Sequence, residues 1–509
     1  MKKLLACLII LLAISVRSTI AQPALWKHSC NCGRMEMMVL DTNQNVYVFS
    51  DGSGGIGIPS MTKLSRAGAQ LFNNTYLPSG YTIMQFNNSF YFNGYIYIAA
   101  NVSNSTQFNN LYLLKVDTLG GLVDQLVIDT VETTRLVGIK SQPYFSYGFH
   151  IDQSNNIHIS FLKNNSGLSI YSFLKFDTDF NLIAQYHDTV GFLAYPGPSF
   201  YLPDGTVYYS TGGVISKLNS AYTAKVWTAP LYNPFAAPQM LDVENGEVFV
   251  LTTQSSGVND PVNALTRILD LGSIYIYSYD TIIAEGPSLY YSQMLVDLSS
   301  NAVYVAGNYS AFPPYRHYLT KYNSITGGVV WKDSLYDNQL VSDLLLSPQK
   351  NVIAVGGGSN YYAWFYNAQG TVNNIFVYNG PCGASDFVYA ARLDSSDKLI
   401  LTGSACESAS TVNWGVTLKY NIPVITTGLT EGQVTSPLSI APSPASTEVN
   451  IQSDEIINSV LAIDITGRSF FLSMDAENRI DVSMIPAGIY QLIASSDKHI
   501  YKGKLLIAR

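Results

Sequence analysis

The chain has 509 residues, a formal net charge of −8 and only 13% charged side chains. That length allows two to four ordinary domains unless a repeat absorbs it. The absence of any Lys or Arg run that could follow a phosphate backbone excludes nucleic acid as an expected partner. Tyr, Asn, Ser, Thr and Gly supply the polar surface in place of charge, a mixture that favours strands over helices.

The N-terminus carries Lys2 and Lys3, an apolar run from Leu4 to Ile14, and Thr19-Ile20-Ala21 before Gln22. This order of basic, apolar and small residues reads as a secretory signal peptide over 1–21. The apolar run is too short to span a bilayer. Cys7 precedes most of it, so a lipoprotein cut there would leave no hydrophobic segment. No later stretch reaches spanning length without charges or turn residues.

Removal of the signal leaves Cys30, Cys32, Cys382 and Cys406, an even number destined for an oxidising compartment and hence candidates for disulfides in any of three connectivities. Cys30 and Cys32 are separated only by Asn31, and the expectation is that each bridges elsewhere. The C-x-C spacing has no matching His or C-x-x-C that would complete a zinc site.

From here a single phrase returns eight times: turn-forming residues, then an apolar or alternating strand. It begins at Asp41, Phe92, Asp152, Pro203, Glu244, Leu298, Pro348 and Asp394. The interval is about fifty residues, a propeller-blade length. A short apolar strand such as Met37–Leu40 precedes most copies across a tight turn, and two further strands follow, so each unit reads as four antiparallel strands. Such sheets cover both faces only by stacking round an axis. The predicted fold class is therefore all-β: a β-propeller over 27–425 with eight sequence units, for eight or seven blades. A chain of β-sandwiches is the alternative, and the near-constant long interval disfavours it.

Within the propeller no H-E-x-x-H, G-x-S-x-G, Walker or Rossmann pattern occurs. His150 and His158 can face each other across one hairpin, with satisfied strand imidazoles the simpler reading. Asp41, Asp152, Asp204, Asp394 and Asp397 lie in recurrent turns, where Asp caps its own backbone, and none has dense calcium-ligand spacing. Thr326–Trp331 resembles a blade motif of quinone-dependent propeller dehydrogenases, but occurs once. No catalytic residue, metal ligand or cofactor is assigned. The aromatic runs Tyr144-Phe145, Tyr195–Phe200, Phe312–His317 and Tyr361–Trp364 suit sugar stacking or protein contacts, against the plainer reading that they fill blade faces.

Composition shifts to Thr, Gly, Ser and Pro over a 426–437 linker. Strands at Thr447–Ile451, Ser459–Ile465, Ile489–Ala494 and Tyr501–Ala508 then predict a small antiparallel β-sandwich over 438–509. Four ordered pieces, Ile440–Ala445 with Pro442 and Pro444, Ala462–Arg468 with Asp464, Gly467 and Arg468, Asp481–Tyr490 with Gly488 and Tyr490, and the basic-apolar ending with Lys502 and Lys504, resemble the type A C-terminal sorting domain of the type IX secretion system of Bacteroidota. Ser443 departs from the Asn usual between the two prolines. Gly467 and Gly488 suit turns needing positive φ or no side chain.

The resemblance implies passage of the inner membrane by the signal peptide and of the outer membrane by the type IX machinery acting on this domain, then tail removal and release or surface attachment. Asp117-Thr-Leu, Asp129-Thr-Val, Asp188-Thr-Val, Asp280-Thr-Ile and Asp333-Ser-Leu resemble the short O-glycosylation sequon of these bacteria. The expected function is a secreted or surface propeller that binds a glycan, peptide or protein. The alternatives are a polysaccharide-degrading or other propeller enzyme using carboxylates around the axis, and a purely structural surface protein.

Overall fold

The computed structural model describes residues 24–51, 59–103, 110–129, 148–165, 168–190, 196–211, 213–231, 237–253, 263–283, 289–309, 316–336, 340–358, 360–382, 386–407, 414–422, 435–437, 439–452, 457, 459–464, 469–472, 474–475, 479–483, 485–495 and 500–508. The 1–21 segment expected to be a signal peptide lies outside them. The chain divides into two compact units, Met1–Val424 and Ile425–Arg509.

The first unit contains eight four-stranded antiparallel sheets, the blades of a propeller. Their inner strands are Met35–Leu40, Ile83–Phe92, Phe149–Ile151, Pro196–Tyr201, Ala237–Glu244, Leu289–Asp297, Leu340–Leu346 and Phe387–Leu393, here blades 1 to 8, and all eight line one central cavity. Blades 1 to 7 take their strands consecutively from inner to outer. Blade 8 has three consecutive strands, and its outer strand is Trp26–Cys30, paired antiparallel with Trp414–Asn421 from Trp26 opposite Lys419 to Cys30 opposite Gly415. The first strand of the propeller thus closes the ring by hydrogen bonding to the last. Each recurrent phrase falls on the inner turn and second strand of one blade, so eight sequence units make eight blades.

The phrase is apolar because the second strand is covered on both faces. Val46–Ser50 is buried at all five positions. Val46 and Val48 pack with Ala390 and Ile400 of blade 8, whereas Tyr47 and Phe49 pack with Met84, Phe86 and Ile96 of blade 2. Successive side chains leave a strand on opposite faces, so alternate residues of one strand serve two different interfaces. Equivalent apolar clusters join blades 2 and 3, 3 and 4, 4 and 5, 5 and 6, and 6 and 7. Each fully buried large apolar side chain contributes roughly 1.5–3 kcal/mol.

Antiparallel order puts the turns between inner and second strands, and between third and outer strands, on one face of the ring. The opposite face receives the connections between second and third strands and from each outer strand to the next blade. The strands that flank the longest intervals between elements, 51–59, 130–148, 254–262 and 406–413, meet those intervals at that opposite face.

The second unit is a sandwich. Its larger sheet runs Thr435–Pro437, Ile500–Ile507, Gly488–Ser495, Ser459–Asp464, Ser469–Leu472, and its smaller sheet runs Ser439–Ala441, Glu448–Gln452, Arg479–Asp481. Val449, Ile451 and Ile480 from one sheet meet Val460, Ala462, Leu492, Leu505 and Ile507 from the other in a dry core. Two pairings depart from the antiparallel expectation: Thr435–Pro437 lies parallel to the start of Ile500–Ile507, and an isolated parallel bridge joins Ala445 to Ile507. Three residues are too few to carry an alternating pattern, so this edge strand had no signature.

Candidate axial binding site

Seven of the eight described inner strands share a local irregularity at one height. Their register with the second strand slips between Met35 and Met37, Phe86 and Asn88, Pro196 and Ser199, Pro238 and Met240, Tyr291 and Gln293, Val341 and Asp343, and Val388 and Ala390. A β-bulge adds a residue to one strand and re-aims its side chains. Seven bulges at corresponding positions bring Glu36, Asn87, Ser342 and Tyr389 to a common cavity of about 650 Å³, within the size range of small-molecule sites. Met37, Met240 and Met294 belong to its apolar wall.

The aspartates around this cavity are engaged between blades. Asp242 Oδ2 accepts from the Val296 amide at 3.3 Å, and Asp343 Oδ2 accepts from the Ala391 amide at 3.2 Å and from Arg392 Nη1 at 3.3 Å. Gln293 Nε2 donates to the Ser342 carbonyl at 2.7 Å. Each bond passes from one inner strand to the next. Burial pushes Asp242 up to about 6 and raises Asp343 as well, because an ionised carboxylate loses hydration here. Such an arrangement locks neighbouring strands.

His150 and His158 are directly paired across the inner hairpin of blade 3, as their spacing suggested. His158 is fully buried, its Nε2 2.8 Å from Asp152 Oδ2 and its Nδ1 2.6 Å from the Tyr222 hydroxyl of blade 4. Gly205 of blade 4 lies against this ring: a Cβ there would stand 2.8 Å from His158 Cε1, and its φ of +84° disfavours any side chain. His150 instead lines the axial cavity and stacks on Tyr201, with centroids 5.9 Å apart and planes at 7°.

The recurrent turn aspartates cap their own backbones. Asp41 Oδ1 accepts from Asn45, Asp152 Oδ1 from Ser154 and Asn156, Asp204 Oδ1 from Thr206, and Asp394 Oδ1 from Ser396 and Lys398, all at 2.8–2.9 Å. The second oxygen of Asp394 meets Lys419 Nζ at 2.6 Å. Lys419 belongs to a series on the third strands that sequence reading overlooked. Lys63 donates to the Thr118 carbonyl, Lys115 to Thr178, Lys175 to Ser220, Lys217 to Gly272 and Arg267 to Ile325, each reaching the outer turn of the following blade. The signal was present as a basic residue just before the end of most third strands, but on one strand it looks like ordinary alternation.

The Trp331 motif, taken as solitary, has structural counterparts. Trp26, Trp227 and Trp331 stand opposite Lys419, Lys217 and Lys321 on the outer strands of blades 8, 4 and 6, and Phe72 stands opposite Lys63 in blade 1. Trp26 Nε1 donates to the Arg66 carbonyl and Trp331 Nε1 to Ala368, again in the next blade's outer turn. Only Trp331 is preceded by Gly-Gly, so the position recurs where the motif does not. Among the aromatic runs, Tyr144-Phe145 and residues 312–315 lie outside the described residues, whereas Tyr361 and Trp364 are buried blade residues.

Cys382 bridges Cys406, with Cα atoms 5.6 Å apart. Cys30 bridges Cys32, with Cα atoms 5.2 Å apart, contrary to the expectation that each would look elsewhere. Cys382 and Cys406 serve each other across two connections of blade 8, which leaves the adjacent pair as mutual partners. Both bridges lie on the long-connection face of the closing blade.

In the second unit Pro442 and Pro444 are exposed, and the Ser443 hydroxyl between them accepts from the Leu506 amide at 3.2 Å. Tyr490 is buried and donates to the Pro486 carbonyl at 2.8 Å. Gly488 begins a strand without positive φ, and a Cβ there would meet the Tyr490 ring at an ordinary 3.4 Å, so the conformational reason expected for this glycine does not hold. Asp464 pairs with Tyr490, Lys502 with Ile493 and Lys504 with Gln491, Lys504 being exposed. Gly467 and Arg468 lie outside the described residues.

Residues 439–508 match the model of the Secretion system C-terminal sorting domain. A search of curated proteins returns no match. Among solved structures the chain is similar to Saccharomyces cerevisiae Sqt1, at 12% identity over 79% of this chain and 100% of that one with a TM-score of 0.53. It is also similar to BamB from Moraxella catarrhalis, at 10% identity over 78% and 98% with a TM-score of 0.46. At such identities the likeness concerns fold alone. Among the described residues no helix is long and apolar enough to cross a membrane. The C-terminal unit is a sorting domain of type IX secretion, and the protein is exported to the cell surface or secreted.

Proposed function

We propose that this protein is a Bacteroidota β-propeller that binds a ligand outside the cell, with the axial cavity as its binding site. The observation that carries this reading is a cavity of about 650 Å³ whose aspartates, Asp242 and Asp343, are tied to backbone amides of the neighbouring strands. Binding needs a rigid, shaped and partly polar wall, and inter-blade ties supply rigidity. The alternative enzyme route would draw on the carboxylates of the same wall, Glu36, Asp242 and Asp343.

Residues 1–21 serve as the signal peptide for the inner membrane. The type IX machinery recognises the C-terminal domain through Pro442, Pro444, Asp464, Gly467, Arg468, Gly488, Tyr490, Lys502 and Lys504, and removes the tail in transit. The exposure of Pro442, Pro444 and Lys504 suits direct contact, while buried Tyr490 suits a role in holding the domain together.

The mature chain applied to glycan and peptide arrays, alongside a reducing-end assay on the same glycans, tests the functional reading. Binding without turnover is expected. Sustained release of reducing ends, lost on substitution of Asp242 or Asp343, would replace it with the enzyme.

A further inference from the structure

The wall of the axial cavity has two unlike arcs. On blades 5 to 8, Asp242, Gln293, Asp343 and Arg392 bond to neighbouring strands. On blades 2 and 3, both polar atoms of the Asn87 carboxamide and Nε2 of His150 are buried and have no hydrogen-bond partner among the described residues. A buried polar atom left unpaired is costly, and a native structure keeps one where a bound molecule completes it. Asn87 is the extra residue of its bulge, without a register partner on the second strand. His150 is clamped by its stack on Tyr201 and by the edge of Phe90, with planes at 89°, so its ring direction is fixed.

Resting on the binding reading above, we propose that this arc takes a neutral, hydroxyl-rich small molecule of disaccharide size, with Asn87 and His150 as its hydrogen-bonding contacts. A carboxamide offers a donor and an acceptor side by side, and a hydroxyl both gives and takes a proton, so one sugar edge satisfies both ends. Burial keeps the His150 imidazole below its usual range and therefore neutral. Glu36, Asp242 and Asp343 outnumber Arg392 in the lining, which opposes an anion, and burial raises Asp242 and Asp343 towards their neutral forms, which weakens their pull on a cation. Phe90, Met240 and Met294 offer apolar surface to the C–H face of a ring.

Saturation-transfer difference NMR on the mature full chain tests this, with cellobiose, maltose, lactose and N,N′-diacetylchitobiose as neutral probes and digalacturonate and spermidine as charged ones. At least one disaccharide should show transfer, weakened tenfold or more by Asn87→Leu and by His150→Phe. Neither substitution removes a protein hydrogen bond, so melting midpoints should hold or rise; Asn87→Ser and His150→Gln repeat the test if either variant misfolds. A disaccharide signal indifferent to both positions overturns the assigned contacts. Transfer from charged probes alone, lost in the same variants, overturns the neutral class while axial binding stands. No transfer from any probe overturns the proposal and leaves ordered water as the partner of Asn87 and His150, with the array experiment still deciding whether the protein binds elsewhere.

Discussion

His158 shows how a single side chain can serve the blade interface and set a pH dependence. Burial holds its pKa at about 4 against 6.5 for the free imidazole, even though Asp152 opposes that shift. Between those values the unfolded chain takes up a proton that the folded chain refuses, so stability is greatest above pH 6.5 and falls as pH drops towards 4, by up to roughly 3 kcal/mol. Asp152, held at about 2, stays ionised through that window and loses its own contribution only below the ordinary carboxylate range of 3.8. Urea midpoints at pH 7.5 and 4.5 should therefore differ strongly in the native protein and much less in His158→Gln. Lys419 makes the complementary case. It is 5% exposed and Asp394 1%, so Lys419→Met should cost about 3–5 kcal/mol by stranding a buried carboxylate, and Asp394→Asn in the same chain should recover part of it. Equilibrium unfolding of the three proteins checks both numbers. The turn-capping role of the aspartates was legible in the sequence because it involves residues two to four apart. The lysine partner 25 positions away was not, since only the antiparallel pairing of second and third strands brings it back.

At the scale of strands and turns, stability rests on outer-strand aromatics laid over the next blade. Gly370 has φ of +81°, and a Cβ there would stand 2.4 Å from Trp331 Cδ2. Gly370→Ala should therefore destabilise by about 1–3 kcal/mol, combining strain at positive φ with displacement of a packed ring. Thermal denaturation of G370A beside W331A would show non-additive losses if the two share one contact. The Cys382–Cys406 bridge closes a span of 24 residues, worth about 3 kcal/mol by loop entropy, whereas the adjacent Cys30–Cys32 pair closes so short a loop that its loss should cost about half as much. Melts of C382S/C406S and C30S/C32S rank the two. The blade phrase was readable because burial on both faces writes continuous apolar runs into the second strands. Trp26–Cys30 was not recognised as a strand, because a lone five-residue segment acquires its partner only when the ring closes.

At the scale of the whole molecule, export and ring closure make separate demands that can be tested separately. Deleting 438–509 should leave a folded propeller stranded in the periplasm, read by fractionation, with the melting transition of the ring unchanged; appearance of the truncated chain outside the cell would disconnect the C-terminal domain from export. Intact-mass measurement of the native protein decides whether the Asp-Thr and Asp-Ser tripeptides carry sugar, and a mass without hexose increments rejects that modification. By itself the sequence determined the all-β class, the eight-fold interval and the sorting domain, because each is written in local order: turn chemistry, strand periodicity and four short motifs along some seventy residues. Tertiary structure alone decided that blade 8 borrows its outer strand from the N-terminus, that Cys30 bridges Cys32, and that seven bulges line one axis. Ring closure joins segments nearly four hundred residues apart, and even the short Cys30–Cys32 bridge follows only once Cys382 has met Cys406; no local pattern records which segment will be opposite which.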